Sequence, residues 1–225
     1  MVDEIADFEI EIDKDEVCRL LGYGKNDEPR LSVSSLIDEK IDKAYDLVEP
    51  QASYRMVDVD GIRNKQVFLE DGVMITSKVL SKLLSGCQKA AIFVVSIGQD
   101  LEDRVAELMT DGKMLRATVL DAIGSAAAEK TAAYVHDMVR DIANSEGIEA
   151  TLRFSPGYCD WDVSQQRIIF DAMGGNPVDV SLTDECLMTP RKSVSGIIGL
   201  GSFENSFADF SPCQLCTKTD CPSRR

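Results

Sequence analysis

Arg153-Phe-Ser-Pro-Gly-Tyr158 is the stretch of this chain best equipped for chemistry. The planar guanidinium of Arg153 can grip a carboxylate with two parallel hydrogen bonds. Pro156 fixes one backbone angle and Gly157 frees the next, so the chain turns sharply between them. Tyr158 then offers a ring face and a hydroxyl. A carboxylate held by arginine beside an aromatic face suits an amino-acid-bearing ligand. The same residues also suit a plain strand–turn–helix corner with an arginine salt bridge. On residue types alone that plainer reading is preferred, because short motifs match by chance.

A second polar stretch reads Leu182-Thr-Asp-Glu-Cys-Leu-Met-Thr-Pro190, followed by Ser193-Val-Ser-Gly196. Thr183, Glu185, Ser193 and Ser195 put polar groups near Pro190 and Gly196, in what reads as a loop. A polar loop ending in glycine can bring its backbone close to a ligand. Turn-forming serines on a surface loop are the alternative.

Near the end of the chain, Cys213, Cys216 and Cys221 fall as C-x2-C-x4-C. Thiolates at this spacing can reach one tetrahedral zinc ion, and iron–sulfur clusters use similar knots. An iron–sulfur cluster is preferred over zinc. Three ligands leave one place open, or need a fourth from Cys18, Cys87, Cys159 or Cys186. A tail carrying free thiols is the bland alternative.

Arg153-x-x-Pro-Gly-Tyr158, Leu182-Thr-x-Glu-x-x-Met188-x-Pro190 and Ser193-Val-Ser-Gly196 together resemble the activation domain of cobalamin-dependent methionine synthase. The stretch around Ala127, Tyr134, His136, Val139 and Arg140 is similar to the long helix that precedes the site in that family. The resemblance covers roughly residues 90–200 and implies S-adenosylmethionine binding, used to rescue an oxidised cobalamin. It implies that Arg153, Pro156, Gly157, Tyr158, Glu185, Ser193, Val194, Ser195 and Gly196 hold that ligand. The family follows its Gly-Tyr with Pro-Ala-Cys-Pro, where this chain has Cys159-Asp-Trp-Asp162. Ser206 and Phe207 fall near the place of a family tyrosine pair. The cysteine tail lies outside the resemblance.

The elements that must position these residues can be read in order. Residues 1–50 read as an acidic helical front segment, with helices over Asp13–Leu21 and Ser32–Leu47. Alternation puts Ala52, Tyr54 and Met56 on one strand face and starts another strand at Val67 and Leu69, before a turn at Asp71-Gly72. A helix follows over Ser77–Ser85. Ala90–Ile97 is wholly apolar and reads as a central strand covered on both faces. Asp100 reads as the cap of the next helix. A long helix over Lys113–Asn144 buries small residues, among them Ala117, Ala122, Ser125, Ala126, Ala132 and Ala133. Ile148–Phe154 reads as the strand delivering the Pro-Gly-Tyr turn. Asp162-x-x-Gln165 reads as a capping box for a helix through Met173, and Ile197–Leu200 as a short strand.

Composition sets the outer limits. The chain has 225 residues and a formal net charge of −15. Such acidity repels nucleic-acid backbones and anionic membrane surfaces. No stretch approaches the roughly 20 apolar residues of a membrane span. An acidic start without a basic leader makes a cytoplasmic location the expectation, and thiols rather than disulfides follow from it.

The expected fold, implied by the resemblance more than by periodicity, is α+β, a twisted, mainly antiparallel sheet with packed helices over 1–205, followed by a cysteine-rich tail over 206–225. The expected function is an activation subunit for a cobalamin-dependent methionine synthase or related corrinoid methyltransferase. S-adenosylmethionine would bind this chain, cobalamin would be carried by the partner, and a separate protein could donate electrons. The alternatives are a non-catalytic module that binds a corrinoid protein or a small ligand, and a metal-dependent redox accessory protein.

Overall fold

The computed structural model describes residues 1–5, 8–24, 27–202 and Cys216. Strand β1 (Val2–Ile5) leads to helices α1 (Lys14–Leu20) and α2 (Leu31–Ala44). Strands β2 (Gln51–Arg63), β3 (Gln66–Leu69) and β4 (Met74–Thr76) form a meander, and helix α3 (Lys78–Leu83) follows. Strand β5 (Cys87–Ser96) feeds α4 (Asp100–Thr110) and the 32-residue helix α5 (Met114–Ser145). The remaining elements are β6 (Glu149–Ala150), α6 (Gln166–Ala172), β7 (Ser181–Leu182), β8 (Met188–Thr189) and β9 (Ser193–Gly201).

The main sheet runs β4-β3-β2-β5-β9-β6, with β1 paired to the free side of β2. Every pairing in it is antiparallel. β7 and β8 form a separate hairpin. The expected α+β architecture is thus the observed one. The front segment differs from expectation at its start, where residues 2–5 form a strand rather than helix. Its two inner residues are exposed, so pairing with residues 52–55 of β2, not side-chain burial alone, fixes it there.

β5 is apolar from Ala90 to Val95 because both of its faces are covered there. Ala91, Phe93 and Val95 meet Ala132, Val135, Val139 and Ala143 of α5. Ala90, Ile92 and Val94, pointing the other way, meet Leu80 and Leu83 of α3, Trp161, and Ile169 and Phe170 of α6. Burying a Val, Ile or Phe side chain contributes about 1.5–3 kcal/mol relative to leaving it exposed. A third cluster joins α1, α2, α4 and the first half of α5 around Ile97, Leu101 and Ile123. The small residues of α5 therefore serve two neighbours, helices at one end and the sheet at the other. Gly124 sits at the helical end, where an added Cβ would lie 2.5 Å from Leu101 Cδ2.

Two local expectations are corrected. Asp100 does not cap α4; Gln99 precedes the helix without a side-chain cap bond, and Asp100, Glu102 and Asp103 occupy its first turn. Negative charge there is still favourable beside the free amides. The strand expected over Ile148–Phe154 is interrupted. Only Glu149–Ala150 and an isolated Phe154–Ile197 bridge pair with β9. The Gly199 N–H donates to Thr151 Oγ1 at 2.9 Å, so a side chain takes a place in the ladder.

Gly199 lies beneath this crossing. A Cβ there would lie 2.5 Å from Cys87 Sγ and 2.5 Å from Leu84 Cδ2, both buried. Gly199→Ala is expected to destabilise the fold by about 1–3 kcal/mol through overpacking. For a chain of this length that lowers Tm by about 2–10 °C. Thermal unfolding checks it, and an unchanged Tm would mean that the packing there relaxes freely.

Candidate functional site

The Pro-Gly-Tyr turn is closed by its own backbone. The Gly157 N–H donates to Trp161 O at 2.7 Å, and Trp161 N–H donates to Tyr158 O at 3.0 Å. Gly157 has φ +88°, a left-handed angle that glycine adopts without penalty. Pro156 is buried, while Tyr158 is 51% exposed and stands at the surface of the turn. Trp161 anchors the turn from below, 1% exposed and stacked on Phe154 with ring centroids 5.8 Å apart.

Two further side chains tie the turn to the segment around α3. Asp160 accepts from Ser77 Oγ at 2.8 Å, Lys78 N at 2.7 Å and Val79 N at 3.1 Å. Burial raises the pKa of this carboxyl, but the hydrogen bonds from Ser77, Lys78 and Val79 outweigh it and the net shift is downward. Gln165 exchanges two hydrogen bonds with the backbone of Thr76, at 2.7 and 2.8 Å. The expected capping box is therefore only half formed. Asp162 does cap the next turn by accepting from Ser164 N, but Gln165 reaches across to β4 instead of back to Asp162. Residues 163–165 form a 3-10 turn before α6 begins.

Helix α5 clamps the approach to the turn at two points. Arg153 Nη2 donates to Glu129 at 2.5 Å. Two helical turns later, His136 Nε2 lies 3.1 Å from Thr151 O and, as the neutral tautomer, donates to it. Residues seven apart share a helix face, so one face of α5 holds both ends of residues 151–153. Burial lowers the His136 pKa, the Thr151 hydrogen bond opposes this, and the nearby Arg153 lowers it further. His136 is thus a structural group, as a lone helix histidine more often is.

The second segment divides into two structures. Ser193-Val-Ser-Gly196, expected in a loop, is the first half of β9, in register with Phe93–Ser96. The reason is burial on both faces, which alternation of small polar and apolar residues conceals. Ser193 donates to Pro190 O at 2.7 Å and lies 3.1 Å from Ser96 Oγ. Ser195, 2% exposed, donates to Gln166 Oε1 at 3.1 Å. Val194 is half-buried against the α5 side. At Gly196 an added Cβ would lie 2.7 Å from Phe154 O and 3.0 Å from the Phe93 ring. Its missing side chain makes room for protein.

Glu185 sits in the β7–β8 hairpin and is exposed. Thr183 organises that hairpin, its N–H donating to Leu187 O and its carbonyl accepting from Cys186 N. Arg167 of α6 anchors it, donating to Asp184 O at 2.7 Å and to Cys186 Sγ at 3.1 Å. α6 is therefore the hub. It follows the Pro-Gly-Tyr turn, holds Ser195 through Gln166 and holds the hairpin through Arg167. Arg153 to Tyr158 and Gly196 are brought together directly, and Glu185 is joined to them only through α6. Glu129, Asp160, Gln166 and Arg167 are residues the sequence did not single out, and Gln165 was expected only as a local cap. A polar side chain on the buried face of a short helix, beside Ile169, Phe170 and Ala172, was the available signal at Gln166.

Lys192 fastens the start of β9 to the helices. Its Nζ reaches Asp121 at 2.8 Å and Ser125 Oγ at 2.8 Å, and its backbone N–H donates to Glu102 at 2.6 Å. Two surface grooves lie elsewhere. One of about 620 Å³ lies between α2 and the start of α5, lined by Ser32, Leu36, Met114 and Arg116. The other, about 410 Å³, is lined by Val2, Glu4, Met173 and Pro177. Neither includes Arg153 or Tyr158, so the chemistry argues for the turn and the cavities do not.

Cys213 and Cys221, with Ser206 and Phe207, lie outside the described residues. Among the described residues, no three His, Cys, Asp or Glu side chains gather where a metal ion could be held. Of the cysteines considered as a fourth ligand, Cys87 is buried, and burial pushes its thiol up to about 12. Among the described residues no helix is long and apolar enough to cross a membrane.

A crystal structure of the MetH reactivation domain bound to AdoHcy is similar to this chain. The TM-score is 0.64 at 15% sequence identity, over 92% of this chain and 80% of that one. At that identity the likeness shows the fold. No curated protein sequence matches the chain. The family described as vitamin B12 dependent methionine synthase, activation domain, matches residues 63–208. That span runs from the end of β2 past the end of β9, takes in both motif segments and covers well over half of the chain, which therefore belongs to this family.

Proposed function

We propose that this chain binds S-adenosylmethionine and serves as an activation subunit for a corrinoid methyltransferase of the methionine synthase type. The observation that carries this reading is the Arg153–Glu129 pair beside the Pro-Gly-Tyr turn. A guanidinium and a carboxylate side by side are complementary to the carboxylate and ammonium of an amino acid. Arg153 spends one of its five N–H groups on Glu129, and the fork can still serve an incoming carboxylate. The similar reactivation domain was crystallised with AdoHcy, the demethylated form of the proposed ligand.

In this reading the chain holds its ligand and performs no proton transfer. A reduced corrinoid presented by the partner would take the methyl group from the sulfonium. One carbon–sulfur bond breaks and S-adenosylhomocysteine remains. The electron that reduces the corrinoid comes from a donor protein. Positioning supplies the acceleration, since holding two reactants in line replaces a bimolecular encounter. Arg153 takes the carboxylate, Tyr158 covers the ligand, and Gly157 shapes the turn. Glu185 closes the far side from its hairpin. Ser193, Val194, Ser195 and Gly196 act from β9, as the wall that supports the turn.

One observation favours a non-catalytic binding module instead. The hydroxyls of Ser193 and Ser195 are already committed inside the protein. Calorimetry decides between the two. S-adenosylmethionine is expected to bind, and Arg153→Ala to weaken binding about ten-fold to a hundred-fold, the value of a charge-assisted hydrogen bond. No heat of binding at millimolar ligand, with and without a corrinoid partner, would leave the chain a docking module.

Gly157→Val is expected to abolish measurable binding. A Cβ at this position finds space, its nearest neighbour being Val163 Cβ at 4.0 Å. The cost is the backbone angle, about 1–3 kcal/mol for a β-branched residue held in a left-handed conformation. Parent-like affinity in the variant would show that the turn is only a corner.

For the tail, the proposal is that Cys213, Cys216 and Cys221 bind an iron–sulfur cluster or zinc, on their spacing alone. Purification without oxygen separates the outcomes. Visible absorption that bleaches on reduction indicates a cluster. Colourless protein with one equivalent of zinc indicates a structural site, and metal-free protein removes the proposal.

A further inference from the structure

After Tyr158 the chain runs Cys159-Asp-Trp-Asp162, and the structure gives Asp160 a task there. Asp160 stands two residues beyond Tyr158, and its carboxylate receives three hydrogen bonds from residues 77–79. Two of them come from backbone amides, Lys78 and Val79, which open α3 and have no partner within that helix. The third comes from Ser77, which caps the same helix by accepting from Leu80 N. Ser77 is 1% exposed, while Asp160 and Lys78 stand at the surface. On the other side of the turn, Trp161 is sunk in the core beneath Phe154. Between these anchors the backbone takes two left-handed angles, +88° at Gly157 and +52° at Cys159. A cysteine keeps such an angle only where its surroundings impose it. Tyr158 lies between those two residues.

We infer that Asp160 is the positioning residue of the ligand site, setting the turn that presents Tyr158. Asp160 acts through Tyr158 and does not touch the ligand itself. The inference rests on the proposed binding of S-adenosylmethionine and assigns it a residue outside the motif. Carboxylate–amide hydrogen bonds are strong and directional, so their loss frees the turn rather than merely weakening it. Asn in place of Asp keeps an acceptor but cannot serve three donors equally well.

The test is a double-mutant cycle read by calorimetric affinity for S-adenosylhomocysteine, well below the unfolding temperature of each variant. Tyr158→Leu is expected to weaken binding about ten-fold, and Asp160→Asn about five-fold to ten-fold. The double variant is expected to fall within about two-fold of Tyr158→Leu alone, because residues acting through one contact are not additive. A purely structural Asp160 would lower Tm in Asp160→Asn and leave affinity unchanged, which overturns the inference. Fully additive losses also overturn it, since Asp160 would then act elsewhere. Asp160→Ala serves as the stronger variant if it folds, and Asp160→Asn stands alone if it does not. Failure of the parent to bind S-adenosylhomocysteine would overturn the proposed function together with this assignment. A binding parent with an unaffected Asp160→Asn overturns the assignment only.

Discussion

The close approach of the Phe154 carbonyl to Gly196 is the constraint on which the rest of the site depends. A β-carbon at residue 196 would stand 2.7 Å from that oxygen. Any other residue would push the crossing strand away from β9 or force the Phe93 ring out of its place. The bridge between Phe154 and Ile197 could then not form, and the Pro-Gly-Tyr turn that follows would lose its base. The glycine at the end of one motif segment thus sets the position of the other. Their joint occurrence in the sequence has a packing cause, whatever ligand they also serve.

From that crossing the chain is held in three directions. α5 takes Arg153 and Thr151 through Glu129 and His136. The start of α3 takes Asp160, and β4 takes Gln165. α6 then carries the connection to β9 and to the hairpin. Most of these contacts are hydrogen bonds with a charged or half-buried partner. Each is worth about 0.5–3 kcal/mol net, and together they orient a loop whose apolar anchors are Phe154 and Trp161. Tyr158 is left at the surface, where a ligand and a partner can both reach it.

The central strand and the long helix were legible because their patterns are strong, while the antiparallel sheet as a whole was implied more by the resemblance than by periodicity. The apolar run at 90–97 reads as a strand covered twice, and the small-residue face of α5 as one that packs closely. The start of β9 was not legible, since Ser193-Val-Ser-Gly196 has the composition of a loop and its burial depends on α6 and Phe154. β1 was hidden in an acidic segment, because an edge strand is held by main-chain pairing that side chains do not advertise. The capping box failed for a related reason. Gln165 had a local partner by sequence, and a distant backbone, Thr76, competed successfully. Long-range partners of this kind also account for Glu129 and Asp160, which look like ordinary surface carboxylates in the sequence.

The central claim is that the Arg153–Tyr158 turn and the segments held through α6 form one site for S-adenosylmethionine. Mapping amide chemical shifts during titration with this ligand tests it most directly. Saturable shifts are expected at Gly157, Tyr158 and Glu185, with weaker ones at Gly196, and none around Ser32, Leu36 and Met114. Shifts confined to the groove between α2 and α5, or none at saturating ligand, would contradict it.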